Sequence, residues 1–129
     1  MDTDMDIEEI GRIILGCAIK VHSILGPGLL ESVYQKCLAY ELEQHGLTVQ
    51  CEMLLPIKYG PLCIEDAYRI DMLVAGRVVV EHKAVEKILP IHEAQLLTYL
   101  KMNESKLGFI LNWHVPYMKE GIRRMVNNL

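Results

Sequence analysis

Residues 69–85 read RIDMLVAGRVVVEHKAV, and the way this stretch folds decides the architecture of the chain. Two runs of β-forming residues, Tyr68 to Val74 and Arg77 to Lys83, flank Ala75-Gly76, a connection short enough for an antiparallel hairpin. Side chains alternate along a strand, so Glu81 and Lys83 share one face while His82 takes the other. The short turn brings Asp71 of the neighbouring strand close to Glu81. Val78, Val79 and Val80 lead into Glu81, and Ala84-Val85 follow Lys83, so the charges belong to an apolar central strand and not to a solvated edge. Adjacent carboxylates repel unless a cation joins them, and Mg²⁺ or Mn²⁺ suits such oxygen donors. An ammonium at Lys83 is then placed to orient a nucleophile or to stabilise charge on a phosphate, a combination that suits phosphodiester hydrolysis. The competing reading is a cross-strand ion pair at an exposed edge, worth well under ~1 kcal/mol.

Working outward, Ile7, Ile10, Ile14, Cys17, Val21 and Ile24 recur at helical spacing until Gly26-Pro27-Gly28 stops them. A second helix carries Leu30, Val33, Tyr34, Cys37, Leu38 and Leu42 and ends near His45-Gly46. Thr48 to Tyr59 alternates like a half-buried strand, and Gly60-Pro61 turns the chain toward the hairpin. Ile91 to Met102 reads as a third helix with Pro90 near its start, residues 107–113 (LGFILNW) as an apolar strand, and the tail from Tyr117 as helix. The order predicts an α/β sandwich in which the strand after the third helix returns parallel to Val78–Lys83.

The chain has 129 residues, 51% hydrophobic and 23% charged, the size and composition of one globular domain spanning 1–129. No apolar run approaches the ~18 residues of a membrane helix, and the acidic start MDTDMDIEE is unlike a secretory signal, so a cytoplasmic location without membrane contact is expected. Cys17, Cys37, Cys51 and Cys63 form no CxxC or CxxH pair, which argues against structural zinc and leaves core thiols as the simplest reading. A net charge of −4 means that a nucleic-acid substrate must be held by local cations and metal.

Asp71 followed after nine residues by Glu81-x-Lys83 resembles the D-(x)n-(D/E)-x-K signature of the PD-(D/E)XK nuclease superfamily, whose core order αβββαβ matches the predicted string. The blocks VHSILGPGLLESVYQKCLAYEL, YRIDMLVAGRVVVEHKAV, AQLLTYLK and GFILNW resemble the GxxExxY family, a bacterial and archaeal group within that superfamily, with Gly28, Glu31 and Tyr34 as its naming motif. The resemblance implies a restriction-endonuclease-like α/β fold, a mixed central sheet flanked by helices. It implies a Mg²⁺- or Mn²⁺-dependent nuclease acting on DNA or RNA, with Asp71, Glu81 and the backbone carbonyl of His82 as metal ligands and Lys83 as the catalytic lysine. Glu31 would be a further acidic site residue. Gln95 and Tyr99 resemble the QxxxY motif of RecB-like nucleases, and their spacing puts both on one helical face, where they can position Lys83, water or substrate. The chain departs from the family at Lys20, where an acid is usual, and at Asn112-Trp113-His114, where Asn-Phe-Gly is common.

Alternatives stay open at several positions. The whole chain could be a nuclease-fold binding or assembly module acting through a partner or as a homodimer, or a small-molecule hydrolase using its carboxylates as acid and base. Glu31 could serve only as a first-turn acid against the helix dipole, although Glu31, Tyr34 and Leu38 share a face expected to turn inward. His22 could be an upstream metal ligand or a structural histidine, and Trp113 could stack on a base or fill the core. His82, His92 and His114 lack metal-ligand spacing, and Lys119, Arg123 and Arg124 make a small basic tail.

Overall fold

The structure, a computed structural model, describes residues 5–129; the first part of the acidic start lies outside them. Helices α1 (Ile7–Leu25) and α2 (Glu31–Gln44) come first, then β1 (Val49–Tyr59), β2 (Leu62–Val74), β3 (Val78–Lys83), α3 (Pro90–Met102), β4 (Leu107–Asn112) and β5 (Ile122–Val126). One mixed sheet runs in the order β1-β2-β3-β4-β5, with β3 and β4 parallel and the other neighbours antiparallel. β3 is therefore central, as its unbroken valine run requires.

The hairpin turns at Ala75 and Gly76, both at positive φ, and Arg77 N–H donates to the Val74 carbonyl at 3.0 Å, the geometry that matches strand twist. Alternation then sorts β3 into two cores. Val78 and Val80 pack with α1 and α2, whereas Val79 packs with Leu96 and Leu100 of α3. Gly108 lets α3 approach β4, since a Cβ there would lie 2.9 Å from Leu100. His92 Nδ1 accepts from Leu89 N–H at 3.0 Å and caps α3, which begins with Pro90.

Three expectations are corrected. The tail is not a helix: a 3₁₀ turn at Met118–Gly121 leads into β5, which pairs with β4 from Leu111/Ile122 to Leu107/Val126. The three- and four-residue spacing of Ile122, Met125 and Val126 imitates a helix, but the open edge of β4 offers a ladder that a terminal helix lacks. Cys51 and Cys63 are exposed on the β1–β2 hairpin and only Cys17 is fully buried, so the thiols are not all in the core. Glu31 is exposed while Tyr34 and Leu38 are buried, because it sits in the first turn of α2, before the helix reaches the sheet. Among the described residues no helix is long and apolar enough to cross a membrane.

Candidate metal centre

Asp71 and Glu81 stand opposite each other where the hairpin opens. The β2–β3 ladder runs through Val74/Val78, Leu73/Val79 and Met72/Val80 and stops there. One step on, side chains replace the missing backbone bonds: Asp71 N–H donates to Glu81 Oε2 at 2.9 Å, and His82 N–H donates to Asp71 Oδ2 at 2.9 Å. Each carboxylate thus clasps the other's strand. On the far side of β2 the register passes from Cys51/Met72 to Met53/Ile70 without a Glu52/Asp71 pair, and Glu52 has φ 57°. The faces change over at this step, for Met72 joins the α1/α2 core and Ile70 the α3 core. Such an irregularity re-aims one side chain, here the carboxylate of Asp71.

Burial, and next the Asp71 carboxylate, pushes the Glu81 carboxyl up to about 8, with Lys83 and Arg69 pulling the other way. Asp71 is also raised, by burial first, against the His82 N–H and Arg69. Arg69 forks between Glu52 Oε1 at 3.3 Å and Asp71 Oδ1 at 3.5 Å. The Tyr99 phenol is raised by its burial and then by Glu81 and Asp71, with Gln95 pulling the other way, so this residue of the helical QxxxY pair lies in the field of the carboxylates. Its ring lies 5.3 Å from that of Tyr68.

The donors fit a hard divalent cation. Each carboxylate spends one oxygen on a backbone N–H, which leaves Glu81 Oε1, and Asp71 Oδ1 with its looser 3.5 Å contact to Arg69, as hard oxygen donors at a place where two negative charges are unfavourable together. Among the described residues no group of three or more His, Cys, Asp or Glu side chains is arranged around a metal, so any ion there must complete its shell with backbone oxygen, water or substrate. The PD-(D/E)XK nuclease superfamily model matches residues 8–125, which spans all five strands up to Met125. The chain belongs to that superfamily. Neither the curated proteins nor the solved structures yield a match.

Membership of the PD-(D/E)XK superfamily fits the site's place at the fork of a central hairpin, and the remaining candidates can be located from there. Lys83 is half-buried two residues beyond Glu81, and its charge acts on both carboxylates. Glu31 lines a groove of about 570 Å³ with Leu30, Ser32, Ala84 and His114 beyond the end of β3, next to Lys83. His22 is buried, and its Nε2 donates to the Val115 carbonyl at 2.9 Å. The tyrosine of the naming motif is structural, its hydroxyl donating to Gly26 O at 2.5 Å and accepting from Leu29 N–H at 3.1 Å.

His82 faces the α1/α2 core, as alternation requires. Its Nδ1 accepts from Trp113 Nε1–H at 3.0 Å, and burial lowers its pKa to about 3, so the ring is neutral with its proton on Nε2. Trp113 is core, its ring 4.7 Å from that of Tyr34. Arg123 and Arg124 of the basic tail pair with Glu93 at 3.7 Å and Glu8 at 2.6 Å. The sequence reasoning missed the Glu52–Arg69 pair beside Asp71 and the Asn112 side chain. Asn112 accepts from Val85 N–H at 3.1 Å and donates to Val85 O at 2.8 Å, holding the chain just after Lys83. Arg69 stands two residues before Asp71, on its face in an ideal strand, which was a usable signal; the break at Glu52 left none.

Proposed function

We propose that this chain is a Mg²⁺- or Mn²⁺-dependent nuclease of the GxxExxY type, a single catalytic domain cutting DNA or RNA phosphodiesters in the cytoplasm. The observation that carries the reading is the reciprocal clasp of Asp71 and Glu81, which holds two carboxylates together at the mouth of the central hairpin. Asp71 Oδ1 and Glu81 Oε1 would hold the ion, with the His82 backbone carbonyl beside them. When bound, the ion neutralises the pair and withdraws charge from the phosphate. Lys83 orients the attacking water and holds negative charge as it develops. Arg69 keeps Asp71 turned toward the site, while Gln95 and Tyr99 border the substrate path on the α3 side. Glu31 acts from the adjoining groove on water or on the strand leaving the site.

The test is cleavage of labelled single-stranded DNA, duplex DNA and RNA in Mn²⁺ and in Mg²⁺, with Mn²⁺ titration calorimetry alongside. Asp71→Ala should abolish ion binding and cleavage. Lys83→Ala should keep ion binding and lose at least about 100-fold in rate, the usual order for a positioned proton-transfer or charge-stabilising group. A folded protein that binds Mn²⁺ and cuts none of the substrates would overturn the catalytic assignment.

A further inference from the structure

β4 is buried along its whole length, and every residue in it is apolar or glycine except the last, Asn112, which is 2% exposed. A buried amide is tolerated where its hydrogen bonds are made, and here three bonds to backbone make them. Nδ2 donates to the Val85 carbonyl at 2.8 Å, and Oδ1 accepts from the N–H groups of Val85 at 3.1 Å and His114 at 3.2 Å. The side chain thus pairs with both backbone groups of Val85, as a further residue of β4 would if the ladder continued. The ladder itself ends at the Lys83/Asn112 register pair, where Trp113 N–H donates to the Lys83 carbonyl at 2.9 Å.

We infer that Asn112 is a positioning residue that acts through Lys83. Val79 and Ile110 belong to the α3 core, so alternation puts Lys83 and its register partner Asn112 on that same face of the sheet, with Glu81. Lys83 is the last residue of β3, and a four-carbon stem on a frayed strand end would point its ammonium in many directions. Its backbone is instead fixed on both sides. The ladder holds it as far as its own carbonyl, and the grip of Asn112 on Val85 holds the chain just beyond. The next buried residue is Ile88, so without that grip the chain leaving β3 has no fixed point before the α3 core. The bonds of Asn112 run to backbone and not to Asp71 or Glu81, so its influence on the site has to pass through the lysine.

The catalytic consequence rests on the nuclease reading above, so one measurement is independent of cleavage. In ¹³C-labelled, metal-free protein, NMR relaxation of the Lys83 ε-methylene should report an ordered side chain in wild type and a more mobile one in Asn112→Ala. Asn112→Asp keeps the acceptor contacts but turns an oxygen toward the Val85 carbonyl; it should loosen Lys83 in the same sense and serves if Asn112→Ala fails to fold. With Mn²⁺, either variant should lower kcat by about tenfold or more, as a small misplacement of a reacting group does, and leave KM and Mn²⁺ affinity within about twofold. In the Lys83→Ala background the same change should cost less than about twofold in kcat, while its cost in urea unfolding is equal in both backgrounds. A side chain that merely stabilised the fold would slow both backgrounds alike. Equal rate losses in the two backgrounds, or a Lys83 ε-methylene as ordered in the folded variants as in wild type, would overturn the inference. A wild-type protein that cuts nothing overturns the nuclease reading alone, and the relaxation data then decide whether Asn112 holds the lysine.

Discussion

Glu81 is the residue where fold and function conflict most openly. With the folded-state carboxyl raised from 4.5 to about 8, the unfolded chain ionises first as pH rises, so folding loses stability across that interval and levels off above it. Asp71 is shifted in the same sense. Metal-free protein should therefore melt lower at pH 8 than at pH 5. Glu81→Gln should flatten most of this slope and melt roughly 5 °C above wild type at pH 8. Added Mn²⁺ should stabilise wild type increasingly with pH, because binding must displace the proton that Glu81 holds at lower pH, and should leave Glu81→Gln almost unmoved. Differential scanning fluorimetry across pH with and without Mn²⁺ reads all of this; a wild-type melting curve that climbs toward pH 8 without metal would contradict it.

A second residue-scale coupling joins two faces of the sheet. Trp113 gives its indole proton to buried His82, whose backbone N–H is held by Asp71. The indole bond therefore braces the strand that carries the candidate ligands. Trp113→Phe removes the donor, leaves His82 Nδ1 without it and opens space beside Tyr34, at a cost of ~3 kcal/mol. Urea unfolding measures the loss. A change below ~1 kcal/mol would mean that His82 finds another donor.

At the scale of elements, the valine run, the two-residue turn and the proline-led third helix were all readable, because each expresses a backbone preference that tertiary structure did not overrule. The tail was misread because Ile122, Met125 and Val126 fit a helix by spacing, and only the vacant edge of β4 makes a strand of them. What led to β5 was Gly121, which no periodicity argument weighs. A Cβ there would collide with the Asn112 carbonyl, so the turn into β5 presses directly on the residue that also holds Val85. Gly121→Ala should thus cost ~2 kcal/mol or more and loosen both edges of that contact. Amide exchange would show it as lost protection at β5 and around Val85; loss confined to β5 would sever the link to the site. The signature acids were legible for a related reason. Charge inside an apolar strand is conspicuous, whereas the Glu52 irregularity that aims Asp71 is a left-handed backbone on an ordinary residue and leaves no mark in composition.

At the scale of the molecule, the charge balance governs how a polyanion can be held. Net charge is −4, and several cations are already engaged within the chain: Lys20 with Glu41, Arg69 with Glu52 and Asp71, Arg123 with Glu93 and Arg124 with Glu8. With acids outnumbering bases the surface as a whole does not attract a polyanion, so most of the grip is expected from the bound ion and from Lys83 at the site. Binding of a short labelled single strand, measured with a divalent ion that supports binding without cleavage, should then weaken only gently with salt. A log–log slope shallower than about −3 is expected, since each phosphate neutralised on a single strand contributes about −0.7. Lys83→Ala should flatten the slope further. A slope near −6 would instead require an extended basic track, and the substrate path would have to be sought away from the hairpin fork.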